Sequence, residues 1–190
     1  MNSASSLEGL TRFDGPKPGP VVALIGSMHG NEPCGAYAVN KLHQELRLDT
    51  LNLERGSLVL VIGNPRAIEE GSRFTHGGVD LNRVFDFEFL NTVPESEWAY
   101  EHRRAAEMRP YLEEWDAVLD LHSTSFPTEP FGIWPHGSPP SGLGEQLQLR
   151  TLTRGWERMG LPGAQALVLV LPALDHQSLL ATLSHHSDQR

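Results

Sequence analysis

Short apolar runs punctuate the chain at Val21–Ile25, Leu58–Ile62, Ala117–Leu121, Phe131–Trp134 and Ala166–Leu171. They are nearly continuous and rich in β-branched residues, a pattern expected of strands covered on both faces rather than on one. Between them the apolar period changes. From Pro33 to about Leu48, the residues Ala36, Val39, Leu42 and Leu46 fall at helical spacing, with Pro33 suited to the first turn. A second helix is predicted from Pro94 to about Glu114, where Glu and Arg interleave at ion-pair spacing, and a third from Gly142 to about Met159. Residues 66–78 are polar and carry Gly71, Gly77 and Gly78, which reads as a loop. Residues 1–20 end in PKPGP and read as an N-terminal tail or lead-in loop, leaving 21–190 as one domain. Strands alternating with helices predict an α/β fold, a layered sheet with helices on both faces.

The polar residues with chemical potential gather where strands end. His29 and Glu32 follow the first run, Asn64 the second and His122 the third. In open α/β sheets ligands bind at the carboxyl ends of strands. Two His and one Glu form a common protein ligand set for a catalytic zinc ion, which lowers the pKa of its bound water towards about 7. Taken singly, each feature has a plainer reading. A His-x-x-Glu pair arises often by chance, and Asp80-Leu81-Asn82-Arg83 can be a turn with an Asx cap. Cys34, beside the pair, reads as a small buried residue rather than a nucleophile. No Gly-x-Ser-x-Gly elbow and no phosphate loop is present.

Composition narrows the field. A length of 190 residues suits one sizeable domain, and a net charge of −9 disfavours nucleic acid as a partner. Positive charge is almost all Arg, with Lys17 and Lys41 the only lysines, and an Arg fork suits a carboxylate. No apolar run reaches the roughly 18 residues a membrane span needs, and the N-terminus lacks the pattern of a secretory signal. A single cysteine allows no intrachain disulfide, so the cytoplasm is the expected compartment.

Four segments taken in order are far more specific than any one of them: His29-Gly30-Asn31-Glu32, Asn64-Pro65-Arg66-Ala67, Asp80-Leu81-Asn82-Arg83-Val84-Phe85 and Asp120-Leu121-His122-Ser123-Thr124. This series resembles the succinylglutamate desuccinylase/aspartoacylase family of the zinc carboxypeptidase superfamily. The resemblance implies an α/β/α sandwich around a mixed, largely parallel sheet, and one Zn2+ per chain held by His29, Glu32 and His122. It implies that Asp80 orients the first ligating His, that Asn82 and Arg83 grip a substrate carboxylate, and that Arg73 polarises the scissile carbonyl. The implied substrate is a small N-acyl amino acid carrying a carboxylate.

The resemblance also has a gap. Family members use a later Glu, in a Glu-x-Gly-like setting, as general base. After His122 the chain offers only Glu129, Glu145 and Glu157, and none has that setting. The family's smaller C-terminal β domain is expected to be missing from residues 21–190. The expected activity is hydrolysis of the amide of an N-acyl amino acid. The alternatives are a carboxypeptidase acting on short peptides, and a catalytically impaired metal-binding homologue.

Overall fold

Each of the five apolar runs is a strand, and the sheet contains two more that the pattern does not announce. The computed structural model describes residues 7–85, 90–124, 128–134, 150–154 and 165–171. In chain order the strands are β1 (Leu10–Asp14), β2 (Val21–Gly26), β3 (Ser57–Ile62), β4 (Ala117–Ser123), β5 (Phe131–Trp134), β6 (Thr151–Arg154) and β7 (Gln165–Leu171). They form one sheet in the order β1-β3-β2-β4-β7-β5-β6. The pairs β3–β2, β2–β4, β4–β7 and β5–β6 are parallel, whereas β1–β3 and β7–β5 are antiparallel. The sheet is therefore mixed and largely parallel.

The helices are α1 (Pro33–Arg47), the short α2 (Pro65–Glu70) and α3 (Tyr100–Leu112). Successive strand residues face opposite sides of the sheet, and the two sides bury different helices. Ala23, Ile25, Val59, Val61 and Val118 pack with Ala105, Met108, Leu112 and Trp115 on the α3 side. Leu24, Leu60 and Leu121 pack with Val39 and Leu46 of α1 on the other. The central strands are apolar without alternation because both of their faces lie in a core. A fully buried side chain such as Met108 contributes about 1.5–3 kcal/mol.

Four expectations need correction. The lead-in segment contains β1, an edge strand whose Leu10 pairs with Val61 while Arg12 and Asp14 form an exposed ion pair. Charge on an edge strand blunts it against further pairing, and it also hides the strand from a hydrophobic pattern. The stretch expected to be a loop opens with α2, which Asn64 caps by accepting from Ala67 N at 2.9 Å and which Gly71 ends in a left-handed conformation. The helix expected at 142–159 is interrupted by β6, whose threonines favour a strand; the remainder of that stretch lies outside the described residues. The second predicted helix begins six residues late, after a single turn at Glu95–Glu97.

Candidate metal centre

The centre is built where β3, β2 and β4 end side by side. Gly26, the last residue of β2, lies in register with Ile62 on one neighbour and Leu121 on the other. The chain must then turn sharply into α1. Ser27 takes a left-handed conformation (φ 56°). Its hydroxyl donates to the Glu32 carbonyl at 2.8 Å and accepts from Ala36 N at 3.0 Å, tying the two ends of the loop together. Gly26 lies against the Gly35 backbone so closely that a Cβ on either residue would collide with the other. Gly30 is needed for a similar reason: a Cβ there would enter the Ala67 backbone of α2.

This loop presents His29 and Glu32, and β4 presents His122 next to them. All three are buried. His29 Nδ1 lies 2.8 Å from Glu32 Oε1, and His122 Nδ1 lies 3.0 Å from Glu32 Oε2. One potential ligand atom from each residue falls within 4.8 Å of the others. Ser123 N also donates to Glu32 Oε2 at 2.8 Å, which fixes the carboxylate.

Each imidazole turns its other nitrogen to a carboxylate. His29 Nε2 is 2.9 Å from Asp80 Oδ1, and His122 Nε2 is 3.0 Å from Asp120 Oδ2. A carboxylate behind a histidine fixes its tautomer and orientation and is the usual support for a metal ligand. The donor set, its spacing and both supports fit a zinc ion held by His29, Glu32 and His122.

The electrostatics are those of a tightly paired cluster. Burial would raise Glu32, but both histidines and Ser123 N hold its carboxyl well below the usual range. Burial likewise opposes ionisation of Asp80, and His29 and Arg73 overcome it. Desolvation would lower His122, but Asp120 and Glu32 outweigh it and raise the imidazole to about 10. His29 is raised in the same sense by Asp80 and Glu32.

The remaining expected residues lie around this cluster. Arg73 donates through Nε and Nη2 to Asp80 Oδ2 at 3.2 and 3.0 Å, and its Nη1 is 3.5 Å from Glu32 Oε1. Asn82 is buried, with its amide nitrogen 3.2 Å from His122 Nε2. Asp80 Oδ1 accepts from Asn82 N at 3.0 Å, capping the single turn Leu81–Arg83. Arg83 ends that turn exposed, with no ion pair among the described residues. Glu129 is exposed between β4 and β5, and Glu145 and Glu157 lie outside the described residues.

Two participants were not singled out from the sequence. Asp120 stands two residues before His122 on one strand, a spacing that puts both on one face and made the pairing legible. Glu101 of α3 is fully buried behind the Asp80 segment, and nothing in its Glu/Arg-rich surroundings marks it.

Residues 18–142 match the family described as the succinylglutamate desuccinylase/aspartoacylase catalytic domain. An N-acyl-aromatic-L-amino acid amidohydrolase (carboxylate-forming) of Homo sapiens is 38% identical over 111 residues, covering 55% of this chain and 33% of that protein. The aspartoacylase of Rattus norvegicus is 35% identical over 111 residues, covering 55% and 34%. The chain thus spans about a third of the length of these curated relatives. Among solved structures, the succinylglutamate desuccinylase from Chromobacterium violaceum aligns with a TM-score of 0.74 at 22% identity, over 93% of this chain and 62% of that one. Murine aminoacylase 3 aligns at 0.69 and 23%, over 90% and 63%. These structural likenesses establish the shared fold.

Proposed function

The chain belongs to the succinylglutamate desuccinylase/aspartoacylase family, and from that membership we propose that it is a zinc-dependent hydrolase of the amide bond of an N-acyl amino acid. The observation that carries this reading is the convergence of His29, Glu32 and His122, with a carboxylate behind each imidazole. Bound there, zinc supplies Lewis acidity, which makes water nucleophilic at neutral pH and polarises a carbonyl.

The chain's own residues bind and orient the substrate. Arg83, exposed and unpaired among the described residues, takes a substrate carboxylate through its planar fork. Arg73, about half exposed and already beside Glu32, donates to the oxygen of the scissile carbonyl as charge develops on it. Asp80 holds both Arg73 and His29, so it aligns the carbonyl donor with the metal ligand. Asn82, buried beside His122, joins Arg83 in holding the substrate carboxylate.

A second reading follows from one further observation. The carboxylates in contact with the cluster, Asp80 and Asp120, are each engaged with a histidine, and Glu129 is exposed. A metal-binding homologue without a general base fits that arrangement, and lack of a base costs about 10²–10⁴ in rate. Zinc-loaded protein assayed against N-acetylaspartate, N-succinylglutamate, N-acyl aromatic amino acids and short peptides decides the matter. Release of the free amino acid from an N-acyl substrate is the expected result. Cleavage of peptides alone makes it a carboxypeptidase, and no turnover of any of them leaves the metal-binding homologue.

A further inference from the structure

A buried carboxylate that no metal-site argument uses lies behind the Asp80 segment. Glu101, on the first turn of α3, is fully buried and forms no ion pair among the described residues. Its charge is met by donors alone. Oε1 accepts from Thr75 N at 2.8 Å and Asn64 Nδ2 at 3.2 Å. Oε2 accepts from Thr75 Oγ1 and from Val79 N, both at 3.2 Å. The turn between Thr75 and Val79 wraps the carboxylate so tightly that a Cβ on Gly78 would strike Glu101 Oε2.

The donors belong to the segments that build the site. Asn64 ends the β3 arm and caps α2, and Gly30 of the His29 loop rests on α2 at Ala67. Arg73 O, two residues before Thr75, accepts from Gly30 N at 3.3 Å. Val79 is the residue before Asp80, whose carboxylate touches His29 and Arg73. Resting on the proposed metal centre, we infer that Glu101 is a positioning residue, whose two oxygens clamp the 75–79 turn and so set Asp80, Arg73 and Asn82 against the two histidines. A carboxylate suits this task because every group around it is an N–H or O–H, and charged acceptors make the stronger bonds. A glutamine of the same shape would have to turn its NH2 group towards one pair of those donors.

The test compares wild type, Glu101→Gln, Thr75→Val, Thr75→Ser and Leu46→Ala. Leu46 is buried on the α1 side, so its truncation costs stability without touching the turn. Three quantities are read: zinc affinity by chelator competition, amide hydrogen exchange at residues 80–83 in metal-free protein, and kcat/KM on the best N-acyl substrate. For Glu101→Gln the expected results are about tenfold weaker zinc binding, faster exchange at 80–83, and kcat/KM reduced by about 10–100-fold. Thr75→Val shifts all three the same way by about threefold, and Thr75→Ser restores them, because the hydroxyl is the group in use. Leu46→Ala lowers Tm and leaves zinc affinity and exchange at 80–83 within twofold of wild type. The inference is overturned if folded Glu101→Gln binds zinc and exchanges at 80–83 like wild type, or if Leu46→Ala disturbs both as strongly. Should Glu101→Gln not fold, the Thr75 pair decides by the same readings. If wild type hydrolyses nothing, the hydrolase reading fails alone, and zinc affinity and exchange still decide on Glu101.

Discussion

The two histidines of the centre are supported in opposite ways. His122 takes its carboxylate, Asp120, from its own strand, two residues back and buried with it in the α3 layer. His29 takes Asp80 from a separate turn, 51 positions along the chain, and that carboxylate is 20% exposed and shared with Arg73. One arm is fixed by strand period alone. The other depends on how a long loop is anchored, and is partly open to solvent. A site built this way has a rigid half that belongs to the core and an adjustable half that faces outward.

The largest expected effect ignores that difference. His29→Ala and His122→Ala should each reduce zinc from about one per chain to near zero and abolish hydrolysis, because a three-ligand site does not survive on two. Metal analysis of the purified variants checks this; stoichiometric zinc in either would dissolve the site as drawn.

Removing the supports should separate the arms. Asp120→Ala and Asp80→Ala should both weaken zinc by about 10–100-fold. Only the first should also cost about 1.5–3 kcal/mol of stability, since it takes from a buried imidazolium one of its two carboxylate partners in the metal-free protein, and lower Tm by roughly 5 °C. Asp80→Ala removes a partly exposed carboxylate whose other partner, Arg73, is half exposed, and should cost less, about 1 kcal/mol. Thermal melts of the metal-free variants decide, and equal losses would erase the distinction between rigid and adjustable halves.

The smallest effect is one of protons. His122 is raised from 6.5 to about 10 in the absence of metal, so its pairing stabilises the metal-free protein fully below pH 6.5 and loses that contribution as pH rises through about 10. Zinc needs the neutral ring, so binding at pH 7 should release about one proton from this residue, and affinity should rise with pH. Calorimetry in buffers of different ionisation enthalpy measures the release. None on titrating wild type would mean that His122 does not enter the metal's ligand set.

The central sheet and the cluster of His29, Glu32 and His122 were legible because both obey local rules. Val21–Ile25 and Leu58–Ile62 are apolar throughout, and only a strand between two helix layers needs that. His29 and Glu32 sit in a loop where the strand must stop. The misses share a cause as well. β1 is short and charged on its outer edge, so its pairing with β3 is a tertiary fact. The capping signals of α2 were present in Asn64, Pro65 and Gly71, but six residues give no periodicity. Glu101 and Arg104 read as members of solvated ion pairs, yet both are buried. Arg104 donates to the carbonyls of Gly63, Ile62 and Glu8, and Glu101 accepts from the turn. A polar side chain satisfied by backbone leaves no mark in a pattern of polar and apolar letters.

The parallel pairing of β2 with β4 also orders events in time. Those strands are adjacent in the sheet, although Val22 and its partner Ala117 lie 95 positions apart. A newly made chain possesses His29 and Glu32 within four residues of each other long before His122 can join them. Contacts of such separation close late in folding. Coordination by all three residues would therefore mark the joining of β2 to β4, and a tightly held ion would report that the middle of the sheet has assembled.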